Sequence, residues 1–239
     1  MKRQAVILAG GLGTRLRPLT EKIPKPMVEV AGQPFLHWQL LDLKMQGYTD
    51  ILLLVAYLGE QIEAFFGNGS QLGMSIQYSY ESEPMGTGGA LRNALALLEE
   101  DFLLLNGDSF LKAPLDSMVR IFETSDVEAL ISVYDNRVPV PVIPNVQMNE
   151  RKVLAYKKDA GLAAGFDMID SGIYVMKRQL IARFIENRYL LEKLWPDLIK
   201  DGKLGAFLVS ERFYDIGTPE RLQEFEEKVR DYFKNPVSN

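Results

Sequence analysis

Short apolar runs alternate with longer amphipathic stretches through the first half of this chain, and this alternation constrains the fold more than any other feature of the sequence. The runs at residues 5–9, 51–55, 74–79 and 102–105 have the length and apolar character of strands. The stretches between them have the spacing of helices, and the first of these begins at Pro34. The order β-α-β-α-β-α-β predicts an α/β protein, a Rossmann-like α/β/α sandwich with a mostly parallel central sheet.

The second half of the chain is less regular. It is predicted to contain strands at residues 127–133, 153–156, 172–176 and 206–209, helical material over 178–200 interrupted at Pro196, and a last helix beginning at Thr218 and Pro219. The proline-rich stretch 138–146 cannot lie inside a sheet, which favours a small mixed lobe. We therefore expect a single domain over residues 1–239, divided at about Phe110 into the halves 1–110 and 111–239.

The composition excludes several classes of function. The 239 residues include no cysteine and one histidine, His37, which excludes thiol catalysis, disulfides and zinc sites built on Cys or on His clusters. Any metal would therefore be held by carboxylates. The net charge of -5 disfavours a broad nucleic-acid surface. No apolar run approaches the roughly 20 residues of a membrane span, and the run after the basic start is too short for a signal peptide. We expect a cytoplasmic protein without nucleic-acid or membrane partners.

The first predicted strand runs directly into a glycine cluster, in the stretch "AGGLGTRLRPLTEKIPKP". Gly10, Gly11 and Gly13 would place backbone N–H groups at the carboxyl edge of the sheet, where such groups bind a base or phosphate oxygens. The stretch contains no Walker A pattern, and it fails the dinucleotide fingerprint because Leu16 replaces the third glycine. It therefore indicates an anion-binding loop of another kind.

Basic residues follow the glycines, although the chain as a whole is acidic. Residues 14–25 contain four basic side chains and one acidic side chain: Arg15, Arg17, Lys22, Lys25 and Glu21. This local excess favours a polyphosphate ligand. The prolines on either side of Lys25, Pro24 and Pro26, restrict the backbone and lower the entropy cost of holding its ammonium group in place.

The stretch "LAGGLGTRLRPLTEKIPKPM" resembles the signature of the sugar-1-phosphate nucleotidyltransferases, or nucleoside-diphosphate-sugar pyrophosphorylases. The likeness continues in "EPMGTGGAL", "LNGDSF" and "FYDIGTPERL" and is closest to short guanylyltransferases acting on mannose 1-phosphate or D-glycero-α-D-manno-heptose 1-phosphate. It implies the nucleotide-diphospho-sugar transferase fold, with residues 1–110 binding the nucleotide and residues 111–239 the sugar phosphate. The hexapeptide repeats that form a C-terminal β-helix domain in some relatives are missing, so we expect a monofunctional enzyme.

The resemblance implies in-line attack by a sugar 1-phosphate oxygen on the α-phosphorus of a nucleoside triphosphate, with release of pyrophosphate. It assigns two catalytic residues, Arg15 for the departing pyrophosphate and Lys25 for the phosphate at the reacting centre. By the same resemblance Asp108 and Asp215 would hold Mg²⁺, the expected cofactor, although either aspartate alone is also typical of a turn. An attacking phosphate is already ionised near neutral pH, so no histidine base is needed, and we expect a structural role for His37.

The implied nucleotide-binding residues lie at predicted strand ends, in glycine loops or at a helix start. They are Leu8, Ala9, Gly10, Gly11, Gly13, Thr14, Arg15, Glu81, Gly86, Thr87, Asn106 and Gly107. The segment from Gly86 to Gly89 is expected to open a helix capped by Thr87, with free backbone N–H groups that assist nucleotide binding.

Glu81 indicates the base. In the family, a side chain five residues before the glycine of the G-T-G stretch contacts the base, and it is often Gln in thymidylyl and uridylyl members. Here that position is Glu81, five before Gly86. Uracil and thymine offer one N–H donor between two acceptors, which an amide complements. Guanine offers adjacent N1–H and N2–H donors, which suit a carboxylate. We therefore favour GTP, while a solvated strand-end role for Glu81 stays open.

The sugar side is defined less sharply. The resemblance assigns Lys158, Asp170, Ser171 and Gly172 to the sugar phosphate, each with a turn role as the alternative. However, Lys157 stands where the family often has a glutamate for the sugar hydroxyls, and Asp170 is the candidate to replace it.

Three other functions are alternatives to guanylyl transfer. A uridylyl-, thymidylyl- or cytidylyltransferase would share the fold, and so would a non-catalytic regulatory subunit that binds nucleotide sugars. An NAD-dependent oxidoreductase is disfavoured by Leu16 and the basic loop. The expected partners are a nucleoside triphosphate, with GTP favoured, and a sugar 1-phosphate. Self-association as a homodimer stays open.

Overall fold

The computed structural model describes residues 4–136 and 138–234. The outer parts of the predicted domain, residues 1–3 and 235–239, and Arg137 lie outside them. The strands are β1 (Gln4–Leu8), β2 (Glu29–Val30), β3 (Gln33–Pro34), β4 (Asp50–Val55), β5 (Ser75–Tyr80), β6 (Asp101–Asn106), β7 (Ser109–Phe110), β8 (Ala129–Tyr134), β9 (Val146–Asn149), β10 (Lys152–Tyr156), β11 (Ile169–Lys177), β12 (Leu204–Val209) and β13 (Tyr214–Asp215). The helices are α1 (Phe35–Met45), α2 (Gly59–Phe66), α3 (Gly86–Asn93), α4 (Leu115–Thr124), α5 (Arg178–Arg183), α6 (Trp195–Lys200) and α7 (Pro219–Lys234).

Within the described ranges, a nine-stranded sheet has the order β5-β4-β1-β6-β11-β8-β12-β10-β9. Strands β5, β4, β1 and β6 are parallel to one another, and β8 and β12 are parallel to each other. The antiparallel pairings leave only β10 and β11 running against the other strands of this sheet. The predicted α/β fold with a mostly parallel central sheet is therefore confirmed.

Helices cover both faces of the sheet because side chains alternate along each buried strand. Ile7 of β1 packs in one core with Leu36 of α1 and Met118 of α4. Its neighbour Val6 packs in the opposite core, with Leu91 of α3 and Trp195 of α6. A smaller cluster packs α7 against β2, the start of α1 and the β7–β13 pair. This arrangement is an α/β/α sandwich.

The division expected at Phe110 does not coincide with a break in the sheet. Strand β6 of the first half pairs with β11 of the second half over five residues, Ile173 to Lys177. A two-stranded ribbon also joins the halves, since β7 pairs with β13. Among the described residues, no helix is both long and apolar enough to cross a lipid bilayer.

Several local predictions were wrong or incomplete. The break predicted at Pro196 lies earlier, at residues 184–190, and Pro196 sits in the first turn of α6, where proline is well tolerated. Helix α3 begins at Gly86 and has no side-chain cap, so Thr87 is not its N-cap. Helix α4 and strand β9 were missed.

Candidate active site

A cavity of about 710 Å³ opens at the carboxyl ends of β1, β4 and β6. In α/β sheets, ligands bind at this edge of the strands. The structure places ten of the predicted site residues in its wall: Leu8, Gly10, Gly11, Lys25, Glu81, Gly86, Thr87, Asn106, Gly107 and Asp108. Ala9, by contrast, is buried in the core, and its N–H donates to Leu54 O at 2.8 Å. Ala9 therefore offers no free donor to a ligand.

The glycines after β1 have different roles. A side chain at Gly10 would press against Ala56 and Glu81, whereas one at Gly11 would meet open space. Gly13 has a φ of +61° and lies against Thr20, whose hydroxyl donates to the Gly13 carbonyl at 2.7 Å. Gly10 and Gly11 thus line the cavity, and Gly13 turns the chain away from it. Thr14 and Arg15 follow in an exposed 3-10 turn.

Lys25 is buried at the base of this loop, with 7% of its surface exposed. Pro24 and Pro26 are also buried, so the chain on both sides of Lys25 is fixed. The Lys25 ammonium group donates to Asp108 Oδ2 at 2.6 Å. The structure therefore brings the predicted catalytic lysine and a predicted metal ligand into direct contact.

The two aspartates predicted to meet are brought together by the β7–β13 ribbon. Asp215 pairs with Ser109 across this ribbon, and Ile216 N donates to the Asp108 carbonyl at 3.0 Å. Asp108 Oδ1 accepts a hydrogen bond from the Ser109 hydroxyl at 3.2 Å. Residues separated by more than a hundred positions in sequence thus lie side by side.

Asp215 has a cationic partner that sequence reasoning missed. Arg221, in the first turns of α7, donates from Nη1 to Asp215 Oδ2 at 2.8 Å and Oδ1 at 3.1 Å. Its other terminal nitrogen donates to the Pro141 carbonyl in the proline-rich connection. The Arg15 guanidinium also lies here, because a Cβ at Gly217 would be 3.2 Å from Arg15 Nη2. Three cations therefore surround two carboxylates.

The donor set fits a divalent cation that arrives with a polyphosphate. Mg²⁺ commonly uses one or two carboxylates and completes its shell with substrate phosphates and water. Asp108 and Asp215 are two such carboxylates on adjacent backbone positions. Among the described residues, no group of three or more His, Asp or Glu side chains could hold a metal on its own.

The turn between β6 and β7 is held close to β1. Gly107 N donates to the Leu8 carbonyl at 3.1 Å, and a Cβ at Gly107 would lie 2.3 Å from that oxygen. Only glycine permits this approach. Sequence reasoning also missed Gln39 of α1, whose side-chain amide donates to the carbonyls of Asn106 and Ser109 at 2.9 and 2.7 Å.

Glu81 also lines the cavity and is half-buried. Its Oε2 accepts a hydrogen bond from Met85 N at 2.8 Å. Its Oε1 would be 3.1 Å from a Cβ placed on Gly10, so this oxygen lies over the glycine loop. Burial raises the pKa of Glu81, and the hydrogen bond from Met85 opposes that rise. One carboxylate oxygen is thus fixed by the backbone, and the other is presented above the glycines.

The glycines of α3 pack against a segment that sequence reasoning did not single out. The N–H groups of Gly88 and Gly89 both donate to the Tyr189 carbonyl, at 3.0 and 3.1 Å. A Cβ at Gly88 would lie 2.1 Å from the Tyr189 ring. The Thr87 hydroxyl accepts from Leu191 N at 2.8 Å. The expectation that these helix N–H groups are free for a nucleotide is therefore wrong for Gly88 and Gly89.

On the acceptor side, Asp170 is surrounded by donors of this chain. Its carboxylate accepts hydrogen bonds from Gly172 N at 3.0 Å, the Tyr174 hydroxyl at 3.0 Å and the Tyr156 hydroxyl at 3.2 Å. Burial raises the pKa of Asp170 to about 6, although the three hydrogen bonds lower it. Asp170 therefore orients two tyrosine hydroxyls as well as carrying its own charge.

Gly172 connects this cluster to the cavity. Its φ is +86°, and a Cβ at this position would be 2.8 Å from Asn106 Nδ2. The Asn106 side chain also hydrogen-bonds the Tyr174 hydroxyl. Asn106 is thus shared by the cavity wall and the Asp170 cluster.

Two other acceptor-side residues differ in their placement. Ser171 is 2% exposed, and its hydroxyl donates to Ser132 Oγ at 2.7 Å, so the expectation that its side chain lines a sugar pocket is wrong. Successive strand residues face opposite sides of a sheet, which buries Ser171 next to the more accessible Asp170. Lys158 is exposed, and its ammonium group lies 3.8 Å from Glu192 Oε1.

The fold and the cavity define a nucleotide-binding α/β protein with a cationic centre beside two carboxylates. The chain belongs to the nucleotidyl transferase family, whose sequence model matches residues 4–232. The prediction of a nucleotidyltransferase enzyme is thereby confirmed.

Particular relatives are similar over most of this chain. A D-glycero-alpha-D-manno-heptose 1-phosphate guanylyltransferase of Campylobacter jejuni is 33% identical, over 93% of this chain and 98% of the relative. A mannose-1-phosphate guanylyltransferase of Mycobacterium tuberculosis is 34% identical over 90% of this chain, which spans 61% of that longer protein. A crystal structure of HddC from Yersinia pseudotuberculosis complexed with GMP-PN is 30% identical, with a TM-score of 0.76 over 95% of this chain and 99% of that one.

Proposed function

We propose that this protein transfers GMP from GTP to a sugar 1-phosphate, either D-glycero-α-D-manno-heptose 1-phosphate or mannose 1-phosphate, and releases pyrophosphate. The observation that carries the proposal is the Lys25–Asp108 contact of 2.6 Å in the wall of a glycine-lined cavity that also contains Glu81. The names of the Campylobacter and Mycobacterium relatives support the choice of base and of sugar class.

The proposed reaction needs alignment and charge neutralisation more than covalent catalysis. A phosphate oxygen of the sugar 1-phosphate forms a bond to the α-phosphorus of GTP. The bond from that phosphorus to the oxygen leading to the β-phosphorus breaks, and pyrophosphate leaves with the electron pair. Lys25 would contact the phosphate at the reacting centre. Arg15, which lies near Gly217, would hold the departing pyrophosphate.

Use of a divalent cation is general among nucleotidyltransferases of this family. We propose that the cation is Mg²⁺ and that Asp108 and Asp215 hold it, because the β7–β13 ribbon places them side by side. When bound, such a cation would neutralise charge on the triphosphate. Arg221 would share Asp215 with the cation.

We propose that the sugar 1-phosphate binds beside Asn106 and the Asp170 cluster, which are in contact with each other. Gly172 supports this placement because it packs on Asn106, which also lines the nucleotide cavity. Tyr156 and Tyr174 present hydroxyl groups beside Asp170. Lys158 follows Tyr156 of this cluster by two residues, and its ammonium group lies 3.8 Å from Glu192 Oε1. This lysine is the proposed contact for the sugar phosphate.

Replacing the Glu81 carboxylate with an amide tests the choice of base. We expect Glu81→Gln to lower the ratio of kcat/KM for GTP to that for UTP by about 10-fold or more, because an amide no longer offers acceptors alone to the guanine donors. The measurement is the initial rate of pyrophosphate formation with GTP, UTP, dTTP, CTP and ATP. In the wild type, the KM for GTP should also rise as the pH falls through the raised pKa of Glu81.

The matched control is Glu83→Gln, which removes an exposed carboxylate at the rim of the same cavity. This variant should keep the wild-type preference. A wild-type enzyme that uses all five nucleotides equally, or a Glu81→Gln variant with unchanged preference, would refute the assignment of the base.

A further inference from the structure

We infer that Gln39 is a positioning residue for this reaction, which fixes the turn that presents Asp108 to Lys25. The inference rests on the proposed function. Gln39 lies in the middle of α1 and is 2% exposed. It does not line the cavity, so its effect on the reaction would be exerted through the turn between β6 and β7.

The side-chain amide of Gln39 holds both ends of this turn. One Nε2 hydrogen is donated to the Asn106 carbonyl at 2.9 Å and the other to the Ser109 carbonyl at 2.7 Å. The two acceptor carbonyls flank Gly107 and Asp108 in the chain. A single planar amide thus sets the distance between the two carbonyls.

The carbonyl oxygen of the Gln39 side chain indicates why this position is a glutamine. Gln39 Oε1 is buried and has no hydrogen-bond partner among the residues that the structure describes. An apolar side chain would fill the same space, among leucines of α1, without leaving a buried acceptor unpaired. The two donated hydrogen bonds are therefore what the position requires, and packing alone does not account for the residue.

The turn that Gln39 holds carries groups from both sides of the site. Asp108 Oδ2 lies 2.6 Å from Lys25 Nζ, and the Asn106 side chain packs on Gly172 of the acceptor side. A small displacement of this turn would therefore move the reacting-centre pair relative to both substrates. A displacement of about 1 Å can cost about 100-fold in rate.

The first test replaces the amide with an apolar side chain of similar length. We expect Gln39→Met to lower kcat by about 10- to 100-fold while KM for GTP changes by less than about 3-fold, because the cavity wall at Glu81 is untouched. Lys25 should also react faster with acetic anhydride, measured by mass spectrometry, since a looser turn shields its ammonium group less. The labelling readout does not depend on turnover.

Gln4→Met is the matched control. Gln4 is 4% exposed and also clasps backbone groups, since it donates to Leu97 O at 2.9 Å and accepts from Glu99 N at 2.9 Å. It lies at the start of β1, away from the cavity. This variant should lose stability while keeping wild-type kcat and wild-type labelling of Lys25.

The second test uses pH. A neutral carboxylic acid at position 39 can donate one hydrogen bond to either carbonyl, whereas a carboxylate would oppose both. Gln39→Glu should therefore regain activity relative to the wild type as the pH falls, and Gln39→Met should show no such gain. If Gln39→Met does not fold, the pH dependence of Gln39→Glu relative to the wild type still tests the inference.

The outcomes separate this inference from the proposed function. If wild-type protein releases no pyrophosphate, the proposed function fails, and the Lys25 labelling still tests the position of the turn. If Gln39→Met lowers the melting temperature but keeps wild-type kcat and labelling, Gln39 serves only stability and the inference is overturned. The same holds if Gln39→Glu and Gln39→Met have parallel pH profiles.

Discussion

Lys25 keeps its ammonium group in a nearly closed environment, with its side chain 8% exposed. An unpaired charge in such a place would be costly, and the 2.6 Å contact with Asp108 offsets that cost. Asp108 is more accessible, at 40% side-chain exposure, and can therefore exchange part of this contact for a substrate phosphate or a cation. The fold therefore fixes the Lys25–Asp108 pair in position, and Asp108 remains accessible from the cavity.

Removing either member of the pair tests its role. We expect Lys25→Met and Asp108→Asn each to lower kcat for pyrophosphate release by about 100-fold or more, because charge neutralisation at the reacting phosphates is lost. Lys22→Met is the control, since Lys22 is an exposed lysine of the same loop. Near-normal kcat in a folded Lys25 or Asp108 variant would contradict the proposed role.

Single residues also show where sequence reasoning ended. Asp108 and Asp215 could be named from motifs, but Arg221 could not be named as the partner of Asp215, because the sequence gives no sign that this arginine of α7 turns toward the β7–β13 ribbon. The family resemblance assigned Ser171 to the sugar site together with Asp170 and Gly172. Alternation along β11 instead turns its hydroxyl into the core.

At the scale of elements, the first half of the fold could be predicted because its signals are local. The predicted bounds of β1 and the predicted start of α1 at Pro34 agree with the structure to within one or two residues. The start of α3 at Gly86 was also predicted, but the predicted Thr87 cap and free N–H groups were wrong, because Gly88 and Gly89 donate to the Tyr189 carbonyl of a distant segment. Contacts of that kind have no periodicity that a single sequence would reveal.

Helix α1 carries a buried carboxylate whose effect on stability depends on pH. Asp42 is 8% exposed, and burial raises its pKa to about 6, although the hydrogen bond from Gln46 lowers it. Between about pH 4 and pH 6 the folded state therefore binds more protons than the unfolded state. The free energy of unfolding falls as the pH rises through this range, by up to about 3 kcal/mol.

We expect Asp42→Asn to remove the pH-dependent fall in the free energy of unfolding. The variant should gain in free energy of unfolding relative to the wild type as the pH rises from 4 to 7, by up to about 3 kcal/mol. Urea unfolding at several pH values measures the gain. Asp231→Asn is the control, because Asp231 is exposed on α7 and stays in water. Parallel pH profiles for Asp42→Asn and the wild type would contradict the prediction.

At the scale of the whole molecule, one sheet and one ribbon join the residues before Phe110 to those after it. The pairing of β6 with β11 places the glycine-lined cavity next to the Asp170 cluster, and the pairing of β7 with β13 places Asp108 next to Asp215. The resemblance to the family was enough to name most candidate site residues from the sequence. Their convergence depends on strand pairings between distant segments, which only the folded chain displays.

The chain's net charge of -5 also makes the local cationic centre informative. Arg15, Lys25 and Arg221 converge on two carboxylates, which leaves the centre with a positive balance inside an acidic protein. Such a balance favours an anionic polyphosphate with its cation. We therefore expect an anionic ligand to bind at this centre.

The most direct test of guanylyl transfer is the fate of labelled phosphorus. Purified protein would be incubated with Mg²⁺, D-glycero-α-D-manno-heptose 1-phosphate or mannose 1-phosphate, and GTP labelled at either the α- or the γ-phosphorus. We predict that the α-label enters a GDP-sugar and the γ-label appears in pyrophosphate. Transfer of the γ-label to the sugar phosphate, or its release as inorganic phosphate without a GDP-sugar, would contradict the assignment.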